Sequence, residues 1–239
     1  MLEVIGVTKY FGALAAVKNV SFKIKEKEIV GLIGPNGSGK TTLFNLITGV
    51  YRPDSGNIIF RGQDITGLPR YKICRLGIAR TYQSPKPFLN MSVWENVMVG
   101  ALYGAEDLNK SLNESLEYLK IVGLERKGNV LARNLNICER KFLEIAMALA
   151  TRPKVLLLDE PLSGLNPKEI LQARQLINKI RDIFNIAVVW IEHIMRALKG
   201  IVDRIIVLNY GEKIAEGTFE EITRNKRVIE AYLGEKWVF

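Results

Sequence analysis

Gly34-Pro35-Asn36-Gly37-Ser38-Gly39-Lys40-Thr41 has the spacing G-x-x-x-x-G-K-[ST]. Glycines at this spacing let consecutive backbone N–H groups turn inward around phosphate oxygens. A helix starting at the end of the loop adds a field that favours anions. Lys40 is expected to reach β- and γ-phosphates, and the Thr41 hydroxyl to ligate Mg2+. Further along, Val155-Leu156-Leu157-Leu158 runs into Asp159-Glu160. An apolar strand ending in two acids suits a second half of the same chemistry. Asp159 is placed to hold Mg2+ directly or through water, and Glu160 to orient or deprotonate an attacking water. Without the glycine loop upstream, the two acids would read as a solvated turn.

The elements around these residues fit that reading. The loop follows a predicted strand, Glu28–Ile33, and opens a predicted helix, Lys40–Thr48, whose Leu43, Phe44, Leu46 and Ile47 recur at helical spacing. Other predicted strands are Glu3–Val7, Ala16–Ile24, Ile58–Arg61, Leu76–Tyr82, Lys154–Asp159, Ile186–Ile191 and Arg204–Leu208. Predicted helices are Pro167–Ile183, with Pro167 suited to the first turn, Arg140–Ala150, and Asp107–Val122, where leucines 108, 112, 116 and 119 share one face. The tail Glu220–Phe239 reads as a final helix or two. Strands alternating with helices imply an α/β fold with a mainly parallel sheet. Strand signal is scarce between about Pro85 and Thr151, so a helical subdomain of roughly residues 85–151 is inserted in one domain spanning 1–239.

Composition narrows the partners. Apolar residues are 48% of the 239, which excludes wholesale disorder. Cys74 and Cys138 form neither a disulfide framework nor a zinc pattern, and His193, the single histidine, excludes a multi-histidine metal site. The run Ile186–Ile191 is far shorter than a membrane span, and the start carries no signal peptide, so a cytoplasmic chain is expected. The net charge of +9 raises nucleic acid as a partner. No basic stripe with interleaved aromatics accompanies it, so no nucleic-acid partner is expected. A P-loop kinase acting on a small metabolite is the rival of another class. It would share Lys40 and Thr41 but would need neither Glu160 directly after Asp159 nor the later His193.

The order Gly34–Thr42, Gln83, Asp159-Glu160, His193 resembles the ATP-binding cassette of ABC transporters, over essentially the whole chain. The resemblance implies a P-loop NTPase core with an N-terminal antiparallel β subdomain and an inserted helical subdomain. It implies ATP and Mg2+ as ligands, with Gly34, Pro35, Asn36, Gly37, Ser38, Gly39, Lys40, Thr41 and Thr42 on the nucleotide and Thr41, Gln83 and Asp159 on the metal. Gln83, in Arg80-Thr81-Tyr82-Gln83, matches the glutamine whose carbonyl oxygen reaches Mg2+ or the attacking water. His193 matches the switch histidine that donates to the γ-phosphate. With Glu160, these two make the catalytic set. Phe11, in Tyr10-Phe11-Gly12, matches the aromatic that stacks on adenine. Pro161-Leu162-Ser163-Gly164-Leu165-Asn166 resembles the loop that crosses to a partner cassette, with Asn166 where an Asp is usual.

One stretch departs from the family. Its Leu-Ser-Gly-Gly-Gln signature grips the γ-phosphate across a dimer, and here the aligned residues are Leu135-Asn136-Ile137-Cys138-Glu139, ahead of the Arg140–Ala150 helix. Cys138 in place of a glycine is expected to obstruct close approach, and Glu139 to bring a carboxylate near phosphates. An asymmetric pair with a different cassette bearing a good signature follows as an expectation. Leu43–Gly49, Arg80–Gln83, Gly164–Glu169, Ile191–His193 and Val228–Glu235 resemble the branched-chain amino acid uptake cassettes. That type implies an ATPase on the cytoplasmic face of the membrane, paired with a second cassette and two permease chains, and served indirectly by an external solute-binding protein. Cassettes for lipopolysaccharide export and for urea or amide import are the alternatives. Pro85–Val93 is the expected permease contact.

Overall fold

Buried and more exposed side chains alternate over Leu2–Ile5 and Val20–Ile24, as in antiparallel strands with one wet face. In the computed structural model, which describes residues 1–103, 108–193 and 195–233 without the side chains of Leu108 and Asn109, these stretches belong to β1 (Leu2–Phe11) and β2 (Leu14–Ile24). They pair antiparallel, with Leu2 opposite Ile24 and Phe11 opposite Leu14. The next strand, β3 (Ile29–Ile33), is buried throughout and leads through the glycine loop into helix α1 (Lys40–Ile47). Leu43, Phe44, Leu46 and Ile47 form the buried face of α1, at the predicted spacing. Strand β4 (Ser55–Phe60) pairs antiparallel with β1, and the short β5 (Gln63–Asp64) with β4, giving the order β2-β1-β4-β5. Helix α2 (Arg70–Leu76) follows.

The chain forms two compact units, Met1–Ile73 with Ala187–Phe239, and Cys74–Ile186. In the second, β6 (Ile78–Arg80) precedes helices α3 (Val93–Ala101), α4 (Leu108–Ile121) and α5 (Ile137–Ala150). Then come β7 (Val155–Asp159), parallel to β6, and helix α6 (Pro167–Phe184). Apolar residues of α5 and the whole of β7 are buried in this unit's core. Back in the first unit, β8 (Ala187–Ile191) pairs parallel with β3. After the single turn α7 (Met195–Leu198), β9 (Arg204–Asn209) pairs parallel with the other edge of β3. Strand β10 (Glu212–Gly217) returns antiparallel to β9 before helices α8 (Phe219–Arg224) and α9 (Lys226–Leu233).

Two expectations are corrected. The buried stripe of α4 is not the leucine row: Leu116 is exposed, whereas Ser111, Ser115, Tyr118 and Leu119 are buried. Serine is tolerated there because its hydroxyl is satisfied. Ser115 accepts from the Trp94 indole at 2.8 Å and donates to the Leu112 carbonyl at 2.6 Å. The predicted starting residue, Asp107, lies outside the described residues, as do the Leu108 side chain and 234–239 of the predicted tail. The second correction is that α5 begins at Ile137, not Arg140. Strand β10 has no apolar run and was not legible as a strand; it is formed by its pairing with the buried β9.

Candidate active site

The glycine loop is shaped by its own backbone. Gly39 has φ +102, and a Cβ there would lie 2.3 Å from the Ala16 carbonyl oxygen, so the position excludes a side chain. The Lys40 side chain, 5% exposed, curls back over the loop. Its ammonium donates to the carbonyls of Gly34 at 2.7 Å and Pro35 at 2.8 Å, and to Ser38 Oγ at 3.4 Å. Gly211 N–H, from the turn after β9, donates to the Ser38 carbonyl at 3.1 Å and ties the loop to β9–β10. Asn36 and Gly37 are exposed at the loop's tip. Thr41 (exposed) and Thr42 (half-buried) stand in the first turn of α1.

Phe11 closes β1 and is 44% exposed. Its ring meets Tyr51 edge-on, with centroids 5.2 Å apart. Asp54 accepts from Lys9 Nζ at 2.8 Å and from Tyr10 N–H at 2.6 Å, which fixes the strand end just before Phe11. These bonds hold the Asp54 carboxyl below the usual carboxylate range, the Lys9 bond foremost. An exposed aromatic on a pinned strand end is a ready stacking surface. His193 follows β8 and is exposed. Its N–H donates to Oε1 of the buried Glu192 at 2.9 Å, while Glu192 Oε2 accepts from the fully buried Trp190 indole at 3.3 Å.

Gln83, Asp159 and Glu160 lie in the second unit, and two of them are joined directly. Gln83 Nε2 donates to Glu160 Oε2 at 2.7 Å. Glu160 is 8% exposed and has φ +49, a left-handed conformation unusual for a residue with a side chain. Its carbonyl accepts from Lys141 Nζ of α5 at 2.8 Å, and from Ser163 N–H at 3.2 Å. Asp159 Oδ2 accepts from Arg80 Nη2 at 2.6 Å, an ion pair with both side chains at 5% exposure or less. The Arg80 guanidinium also lies 5.0 Å from the centre of the Tyr82 ring. Sequence reasoning missed Arg80, Lys141 and a third residue, Glu144. The Glu144 carboxylate accepts from Tyr82 N–H at 3.1 Å and Lys86 N–H at 3.4 Å, the two ends of the segment that carries Gln83. Burial pushes the Glu144 carboxyl up to about 7, against the opposing pull of those two amides and of Lys141 and Arg80.

The stretch 136–139 is not a loop. Asn136 caps α5: its side chain accepts from Glu139 N–H at 2.9 Å, and Glu139 in return accepts from Asn136 N–H at 3.1 Å. Glu139 also pairs with Lys127, so its charge is balanced by a cation and a helix N-terminus. Cys138 sits in the first helical turn with its side chain buried and its thiol pushed up to about 11 by burial. It is therefore Ile137, 55% exposed, and not Cys138 that presents a side chain to the outside. Asn166 plays the same capping role for α6, accepting from Lys168 and Glu169 N–H at 3.0 Å each.

Residues 17–163 match the family model described as ABC transporter. The chain belongs to the ABC transporter family. The C-terminal residues 212–237 match a second model, described as branched-chain amino acid ATP-binding cassette transporter. A similar relative is the high-affinity branched-chain amino acid transport ATP-binding protein BraF of Pseudomonas aeruginosa, 43% identical, with 98% of each chain covered. Among solved structures, the ADP conformation of an ABC-transporter ATP-binding cassette matches with a TM-score of 0.89 at 30% identity, over 98% of this chain and 99% of that one. A dimeric cassette in a post-hydrolysis state bound to ADP and Pi matches with a TM-score of 0.82 at 29% identity, over 92% of this chain and 99% of that one. As an ABC ATP-binding subunit, this cassette binds ATP and hydrolyses it to drive transport. The P-loop kinase reading is set aside by the same finding.

Proposed function

We propose that this cassette energises the uptake of branched-chain amino acids. The observation that carries the reading is the match of residues 212–237, a segment outside the general cassette model, to the branched-chain type. The full-length similarity to BraF supports it. In this reading, the loop amides and Lys40 bind the phosphates of ATP, Phe11 stacks on adenine, and His193 donates to the γ-phosphate. Water attacks the γ-phosphorus, the bond to the ADP oxygen breaks, and Glu160, oriented by Gln83, takes the water's proton. The available oxygen donors suit a hard cation, and among the described residues no cluster of three or more His, Cys, Asp or Glu forms a cage of its own. In this reading the Thr41 hydroxyl, the Gln83 side-chain oxygen and the Asp159 carboxylate are the donors that would hold Mg2+ with the nucleotide, and the ion would neutralise phosphate charge.

The partners follow the same logic. Among the described residues no helix is long and apolar enough to cross a membrane. In this reading two separate permease chains supply the path, and the cassette lies on the cytoplasmic face. Phe88 and Leu89, both nearly half exposed, offer the apolar contact for a permease within Pro85–Val93. The second cassette is a different chain, because Asn136 and Ile137 replace the small residues of the family signature. An external binding protein delivers the solute.

The test is uptake of labelled leucine by cells of the host lacking this chain. Uptake should fall to background, return with the wild-type gene, and stay down with Glu160→Gln, which keeps the fold and loses the base. Undiminished leucine uptake in the deletion strain would refute the substrate assignment. Restoration by Glu160→Gln would refute the role of Glu160.

A further inference from the structure

Lys141 and Glu144 are three residues apart on α5, so they project from the same face of the helix. Both are buried, at 4% and 8% exposure. Lys141 holds the Glu160 carbonyl, and Glu144 holds the amides of Tyr82 and Lys86. Gln83 lies between those two amides in sequence, and its side chain meets the Glu160 carboxylate. The bonds thus close a ring: α5 to Glu144, to the segment 82–86, to Gln83, to Glu160, to Lys141, and back to α5. The rest of the segment is fixed from α3. Asn96, fully buried, accepts from Phe88 N–H at 2.7 Å and donates to the carbonyls of Phe88 at 3.0 Å and Ser92 at 2.9 Å.

We infer that Lys141 and Glu144 are positioning residues for hydrolysis, and that α5 is the rail that sets Gln83 and Glu160 in register with each other. Glu144 fixes where the Gln83 backbone sits. Lys141 stabilises the left-handed turn at Glu160, whose φ would otherwise relax and swing the carboxylate away. The inference rests on the roles proposed above for Gln83 and Glu160. It adds that one helix face supports both.

The test uses the full chain with Glu144→Gln, which keeps shape and one acceptor, and Lys141→Met, each alone and in a Gln83→Ala background. Glu144→Gln is expected to lower kcat about tenfold while KM for ATP stays within about twofold, because the geometry of the reacting groups changes and the phosphate loop does not. Amide exchange at Tyr82 and Lys86 should accelerate by about tenfold in the same variant. Lys141→Met is expected to lower kcat likewise at unchanged KM. In the Gln83→Ala background, Glu144→Gln should cost less than about twofold more, since the residue it positions is gone. Equal losses in both backgrounds would overturn the inference, as would faster exchange with unchanged kcat. If Gln83→Ala alone leaves kcat intact, the role of Gln83 itself fails, and that outcome is distinct from either.

Discussion

Replacing Gly39 by alanine puts a methyl carbon 2.3 Å from the Ala16 carbonyl oxygen. Carbon and carbonyl oxygen ordinarily meet no closer than about 3.3 Å, so backbone must move by roughly 1 Å on one side or the other. Both sides are anchored, Ala16 within β2 and Gly39 between β3 and α1. Overpacking of this kind costs about 1–3 kcal/mol. The φ of +102 adds about 1–3 kcal/mol for any residue with a Cβ. The sum is about 4 kcal/mol, a large part of a typical domain's ~5–15 kcal/mol. Gly37, two residues earlier, is the internal control. It too has positive φ, at +77, but a Cβ there meets nothing within 4 Å. Gly37→Ala should therefore cost only the conformational part, about 1–2 kcal/mol. For a chain of this size, thermal unfolding should separate the two variants by about 5–10 °C, with Gly39→Ala the lower. Equal melting temperatures would show that the loop yields freely, and the steric account of this glycine would be wrong.

The other predictions concern the second unit. Arg80→Ala leaves the Asp159 carboxylate buried without its ion pair and should cost about 3–5 kcal/mol in urea unfolding. Most of that loss should disappear when Asp159→Asn is already present, and an undiminished loss would mean that Arg80 acts through its Tyr82 contact instead. Asn136→Ala removes the cap of α5 and should cost about 1 kcal/mol by the same measurement, whereas Asn136→Ser should be nearly neutral. A loss under Asn136→Ser as large as under alanine would contradict the capping role.

The legible parts of this molecule are those written in contiguous residues. The glycine loop is a local pattern, and β3, β7 and β8 are short apolar runs that a buried strand requires. The start of α5 was also written locally, as Asn136-x-x-Glu139, the same box that Ser92-x-x-Glu95 makes at α3. Aligned with the family's signature loop, the same residues hide this capping box. The face of α4 is hidden in the sequence because leucines outrank serines in any hydropathy pattern, while hydrogen bonds to Trp94 and Leu112 satisfy the buried Ser115 in three dimensions. Arg80–Asp159, Lys141–Glu160 and Glu144–Tyr82 could not be read at all. Their partners are separated by 79, 19 and 62 residues, and nothing in the neighbouring residues announces them.

The left-handed backbone at Glu160 has a consequence for how this chain would evolve under different pressures. At such a φ the residue most at ease is glycine, then asparagine. A population selected for thermal endurance alone should therefore drift away from glutamate at 160 and gain heat tolerance as it does so. On the role proposed for Glu160, a population selected for turnover keeps the carboxylate and tolerates the strain. The two pressures pull on one position in opposite directions, so heat-hardened relatives of this cassette that still turn over ATP should have found their stability elsewhere in the chain.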